Sequence, residues 1–84
     1  MILVSIFDKV ANTYYKPFTA HNIADATRQL SLAANDPQSP LNQAPNDYAA
    51  YKVGVWDPEL GTVTPHAHVA VPFQIPLPKG GESA

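Results

Sequence analysis

Proline placement sets the first limit on this chain. Nine prolines fall among 84 residues, and six of them sit in two stretches: Pro37, Pro40 and Pro45 in the middle, Pro72, Pro76 and Pro78 near the end. Each removes a backbone donor and fixes its own φ, so neither stretch can supply a central strand or a helix interior. The first reads as an irregular loop from Pro37 to Asp47, with Leu41 its one large apolar residue, and the second as a C-terminal tail. The domain is expected over residues 1–71 and the tail over 72–84.

Between these stretches the hydrophobic period changes twice. Ile2 to Phe7 is apolar on both faces of a period-2 pattern, with Ile2, Val4 and Ile6 opposite Leu3, Ser5 and Phe7, which suits a central strand. A turn over Asp8 to Asn12 and a β-rich run from Thr13 to Phe18 complete a hairpin. Then Ile23, Ala26, Leu30 and Ala33 recur at helical spacing. Asn22 is the expected N-cap with Asp25 three residues on, Asn35 is expected in a left-handed C-terminal position, and Asp36-Pro37 stops the helix. Tyr48 to Trp56 reads as the third strand, with Tyr51, Val53 and Val55 on one face and Lys52, Gly54 and Trp56 on the other. Asp57 to Gly61 is a type I turn closed by a positive-φ glycine, and Thr62 to Val71 is the fourth strand. The expected fold class is α+β, in the order β-β-α-β-β: a four-stranded antiparallel sheet with one helix on one face and an extended Pro-rich tail. Val71, Phe73, Ile75 and Leu77 alternate, so the tail must lie on its own domain or on a neighbour as an exchanged arm.

Hydrophobic residues make up 45% and charged residues 14%, a balance that folds rather than stays disordered. At this size a single core is near its lower limit, and a partner subunit would help. The chain has no cysteine, which removes disulfides, thiolate metal sites and cysteine nucleophiles and fits an intracellular setting. Ile2-Leu3-Val4 lacks a basic flank and reads as a strand rather than a signal peptide, and no segment approaches the ~20 apolar residues that span a bilayer. A net charge of −2 argues against packaging nucleic acid by charge neutralisation alone.

No phosphate loop, nucleophile elbow or metal-binding helix motif is present, so no catalytic residue, metal or cofactor is assigned and the chain is expected not to be an enzyme. His66 and His68 could chelate a metal if His21 or Asp57 came near, but an exposed polar strand face is the simpler reading. Asp8, Asp36, Asp47, Asp57 and Glu59 all fall at expected turns, where they serve turn chemistry. The sheet carries more. With Ile2, Val4, Ile6, Tyr15, Val53 and Val55 turned to the helix, the other face holds Leu3, Ser5, Phe7, Tyr14, Lys16, Phe18, Lys52 and Trp56. One helix cannot cover both faces. Aromatics flanked by lysines suit a single-stranded nucleic-acid platform, for which Phe7, Tyr14, Lys16, Lys52 and Trp56 are the candidate residues. The same surface also suits a homodimer or higher homo-oligomer interface, and both uses can coexist.

The run Asn35-Asp36-Pro37-Gln38-Ser39-Pro40-Leu41, then Pro45-Asn46-Asp47-Tyr48, Gly54-Val55-Trp56-Asp57 and Gly61, resembles the small non-structural protein of gokushovirus-type microviruses, small circular single-stranded DNA phages. The opening hairpin, from Ile6-Phe7-Asp8-Lys9 through Tyr15 to Pro17-Phe18, is similar to that family's start. The resemblance covers about residues 2 to 64. The family pattern has an aromatic more often than Leu at the position of Leu41, and its tails vary. The resemblance implies a non-structural protein in the host bacterial cytoplasm, acting in single-stranded DNA synthesis or in the switch of replication towards packaging. It carries no motif that assigns binding residues. The alternative is an adaptor that recruits replication or capsid proteins without touching DNA.

Overall fold

The computed structural model describes residues 1–73. Its elements are β1 (Ile2–Asp8), β2 (Thr13–Tyr14), β3 (Phe18–Ala20), α1 (Ile23–Ala34), a one-turn α2 (Pro40–Gln43), a 3-10 turn (Pro45–Asp47), β4 (Tyr48–Asp57) and β5 (Thr62–Val71). The sheet is antiparallel throughout, in the order β2-β1-β4-β5, with β3 on the same edge of β1 as β2. The fold is α+β, as its alternating periods require. The expected second strand is in two pieces, β2 and β3, on either side of Pro17, which has no N–H to give a ladder.

Both hairpin turns use the same chemistry. The Asp8 carboxylate accepts the amides of Val10 and Ala11, both at 3.0 Å, and Asn12 takes φ 58°. The Asp57 carboxylate likewise accepts from Glu59 at 2.9 Å and Leu60 at 3.2 Å, and Gly61 takes φ 66°. An Asx turn followed by a residue that tolerates positive φ explains why these positions are Asp, Asn and Gly.

The helix begins where its cap lies. Asn22 accepts the Asp25 amide at 2.8 Å, and the Asp25 carboxylate accepts the His21 amide at 2.9 Å, a reciprocal pair that satisfies two donors at the helix start. The His21 amide foremost, and the Arg28 guanidinium beside it, hold the Asp25 carboxyl below its usual range. At the other end Asn35 is not left-handed as expected: its φ is −89°. The backbone amide of Asn35 donates to Ser31 at 3.0 Å and its side-chain amide to the same carbonyl at 2.7 Å, so the last turn is satisfied in right-handed geometry. Asn42 adds a bond to the Ala34 carbonyl at 2.9 Å, tying the Pro-rich loop to the helix end and seating Leu41 in the core.

That core consists of Val4, Ala20, Ala26, Leu30, Ala34, Leu41, Ala50 and Val71, with Ile2, Ile6, Phe18, Ile23, Ala33, Tyr48 and Phe73 packed around it. Four of the buried residues are alanines, on both helix and sheet, so the two layers can approach closely. Val4 on the central strand is fully buried and Leu30 is 2% exposed. The expected helix stripe is the buried one, with Ala34 added to it. Phe73 belongs to this packing although the tail was expected to lie outside the core, whereas the alternating Ile75 and Leu77 lie outside the described residues.

Side-chain parity is reset twice on the strands that flank β1. Ile6 receives the Tyr15 amide and Val4 pairs with Phe18, so Lys16 and Pro17 together oppose Ser5. On the other side of β1, Val4 pairs with Lys52 and Leu3 with Gly54, which leaves Val53 as an extra residue. Each insertion is a β-bulge, and each flips the alternation beyond it. Phe18 therefore packs on the helix side rather than on the opposite face. Lys52 lies opposite Val4 on the helix side too, and Tyr51 lies opposite Ser5 on the other face, the reverse of the expected parity for this part of β4. Gly54, Val55 and Trp56, beyond the bulge, keep the expected faces.

At Gly54 β4 has no room for a side chain against β5: a Cβ there would lie 2.7 Å from the Thr64 carbonyl oxygen. Gly54→Ala should therefore lower stability by about 1–3 kcal/mol through overpacking of backbone against backbone. Urea denaturation of the two proteins measures this directly, and equal midpoints would show that the bulge accommodates a side chain.

Candidate functional site

Four aromatic rings from four strands meet on the sheet face turned away from α1. Phe7 of β1 lies 4.7 Å from Tyr14 of β2, centroid to centroid, and Tyr14 lies 6.5 Å from Tyr51 of β4 and 5.4 Å from His68 of β5. Tyr51 and His68 are 5.7 Å apart. The Tyr14–Tyr51 and Tyr14–His68 pairs are edge-on, the arrangement favoured by ring quadrupoles and worth about 0.5–1.5 kcal/mol each beyond simple burial. The Tyr14 hydroxyl and His68 Nδ1 are 3.3 Å apart, within hydrogen-bonding distance.

This contact reveals the shape of the face. β2 and β5 are the outer strands of the order β2-β1-β4-β5, three steps apart, or ~14 Å in a flat sheet. Their side chains can touch only because the sheet curls towards this face. Bulges sharpen strand bend and twist, and both lie opposite the middle of β1, where the curl is needed. The face is thus concave rather than an open plane, and Tyr14 and His68 clasp across it. Beneath the clasp is a cleft of about 270 Å³ lined by Ser5, Tyr14, Tyr15, Pro17, Val53 and His68. At its floor the Ser5 hydroxyl, 4% exposed as a residue, donates to the Tyr15 carbonyl at 2.7 Å and pins the first bulge. Tyr14 itself is 45% exposed and forms the rim.

The five residues expected to form a binding face are distributed as follows. Phe7 and Tyr14 are in contact within the ring cluster. Lys16 is exposed in the first bulge, next to Pro17 of the cleft wall. Lys52 is on the opposite face, because Val53 rather than Lys52 is the extra residue of β4. Trp56 shares the face by register but lies at its far end: its amide donates to the Met1 carbonyl at 2.7 Å, whereas Tyr14 pairs with Phe7. Six residues of β1 separate those levels, ~20 Å along the strand. Tyr51 and His68 enter the cluster unanticipated, Tyr51 through the inverted parity and His68 through the curl that brings β5 to β2. Among the described residues no group of three or more His, Asp or Glu side chains gathers as a metal site.

Comparison with protein families places the chain. The model of the family described as phage ORF5 protein matches residues 1–74. The chain belongs to the phage ORF5 protein family. No curated protein and no solved structure matches it. The family match spans both bulged regions and all four rings, so the concave face of this phage ORF5 protein lies wholly within the part that the family model describes.

The Ser5 bond ties the first bulge to β1 from the floor of the cleft. Ser5→Ala should cost about 1–3 kcal/mol, since it leaves the Tyr15 carbonyl beneath the rim without this donor. It should also loosen Tyr14 against His68, read as a change in the His68 imidazole resonances. Unchanged stability and unchanged His68 resonances would show that the bulge needs no such pin.

Proposed function

We propose that this phage protein binds single-stranded DNA in its concave aromatic face and acts in phage genome replication, or in the switch to single-stranded DNA synthesis, in the host bacterial cytoplasm. The observation that carries the reading is the convergence of Phe7, Tyr14, Tyr51 and His68, one ring from each of four strands, on one face with Tyr14 exposed at its rim. Rings held by a sheet are stacking surfaces for bases, and stacking needs no sequence code. Membership of a phage family supports the setting. The resemblance to the small non-structural protein of gokushovirus-type microviruses supports the narrower one, because those phages package a single strand.

A second reading rests on a specific observation. With Lys52 on the helix side, Lys16 is the lysine left beside the rings among the described residues, and phosphate contacts are correspondingly few. An aromatic face poor in cations suits a protein surface, so an adaptor that recruits replication or capsid proteins without touching DNA is the alternative.

Anisotropy titrations with fluorescent single- and double-stranded oligonucleotides at several salt concentrations separate the two. On the first reading the protein prefers the single strand, and Tyr14→Ala and Tyr51→Ala each weaken binding by about 1–3 kcal/mol with little salt dependence. Lys16→Ala lowers the salt slope by a little under one unit, and Lys52→Ala leaves it unchanged. Absence of oligonucleotide binding at low salt would end this reading and leave the adaptor.

A further inference from the structure

One member of the ring cluster can take a positive charge. His68 lies on β5, whose residues from Thr62 to Ala70 are all exposed, and its ring meets Tyr14 edge-on at 5.4 Å and Tyr51 at 5.7 Å. Its Nδ1 is 3.3 Å from the Tyr14 hydroxyl, and among the described residues Nε2 has no hydrogen-bond partner. A hydroxyl both donates and accepts, so the contact holds in either charge state of the imidazole. With the neutral ring protonated on Nε2, Nδ1 accepts from Tyr14. When a solvent proton joins Nδ1, that nitrogen donates to the Tyr14 oxygen instead, and Nε2–H stays available. His68 can therefore become a cation without breaking the clasp across the sheet.

We propose that His68, in its protonated form, is a phosphate-binding residue of the concave face, so that single-stranded DNA binds with uptake of a proton at this ring. The inference rests on the single-strand reading above and adds a cation to a face poor in them. Lys16 lies between β2 and β3 beside Pro17, and Pro17 and His68 line the same cleft, so a strand lying in the hollow meets Lys16 at one edge and His68 at the other. The groups around His68 leave its counter-charge to a ligand. Tyr14 on β2, Tyr51 on β4 and Tyr15 in the cleft wall are phenols, whose ring faces attract a cation, and β1 contributes the uncharged Ser5 and Phe7. Asp8 follows Phe7 but pairs with Tyr48 on the helix side, where its carboxylate accepts the Val10 and Ala11 amides. Among the described residues no carboxylate lies within ion-pair distance of His68. Lys16, and His66 on the same strand, oppose a further positive charge until an anion arrives. The protonated form binds more tightly, so affinity rises as pH falls through the range in which histidine gains its charge.

The test is an anisotropy titration of the full chain with fluorescent oligothymidine, whose bases gain no proton in this range. Between about pH 8 and about pH 5.5 the parent protein should tighten by about fivefold or more, and its salt slope should steepen by a little under one unit. His68→Gln should abolish the tightening. His68→Lys, permanently charged, should lose the pH dependence and bind more tightly than His68→Gln at the higher pH. His21→Gln removes the same titrating charge just before α1 and should keep the parent's tightening. Each variant should retain the parent's far-ultraviolet circular dichroism spectrum. Affinity that does not change with pH, a tightening that survives in His68→Gln or is lost equally in His21→Gln, or no gain from His68→Lys would overturn this inference and leave the single-strand reading standing. Absence of binding at both pH values would overturn the two together.

Discussion

The central position of β1, and the one-residue excess carried by each of its neighbours, governs the structure. β1 is laddered on both sides, by β2 and β3 on one edge and β4 on the other. Opposite its middle, Lys16-Pro17 on one side and Val53 on the other are too many residues for a regular ladder. The surplus cannot be absorbed without bending, so the sheet curls away from α1. The same two insertions decide which side chains face the helix and which face the hollow. Fully buried Val4 belongs to the helix-side core, and Ser5, its neighbour in sequence, holds the hollow side through Tyr15. Packing and site geometry thus come from one stretch of two residues.

The features legible in the sequence were those with local causes. The helix bounds followed from Asn22, from the 3–4 spacing of Ile23, Ala26, Leu30 and Ala33, and from Asp36-Pro37. The turns followed from Asp8, Asn12, Asp57 and Gly61, whose side chains and φ angles do what those residue types do anywhere. The site was less legible because it depends on parity, and parity is a running count that one extra residue inverts. Phe18, Tyr51 and Lys52 changed faces for that reason alone. The pointers were present: Pro17 cannot donate to a ladder, Pro65 sits in a strand, and Gly54 interrupts β4 where Thr64 crowds it. Each marks an irregular strand, but none says which residue is in excess. His68 was legible only as a polar strand residue or metal ligand, since its contact with Tyr14 spans the whole sheet.

Structure and family meet at the concave face. A chain of this size has little core to spare, yet it places four rings where they add nothing to the helix–sheet packing. They pack instead on one another, with Tyr14 and His68 closing the hollow from opposite edges. The rim is held by edge-on ring contacts and one side-chain hydrogen bond, and on the proposed reading its exposed lip is where a flat ligand would stack. For a phage protein, an unpaired base is the flat ligand that fits the proposed role.

Residue-resolved NMR of the full chain titrated with a short single-stranded oligonucleotide tests this account most directly. The account predicts that resonances of Phe7, Tyr14, Lys16, Tyr51 and His68 shift together with one affinity, while those of Ala26, Leu30 and Ala34 in the helix-side core stay in place. Shifts confined to α1 or to the helix side of the sheet, or no shifts at saturating oligonucleotide, would contradict it.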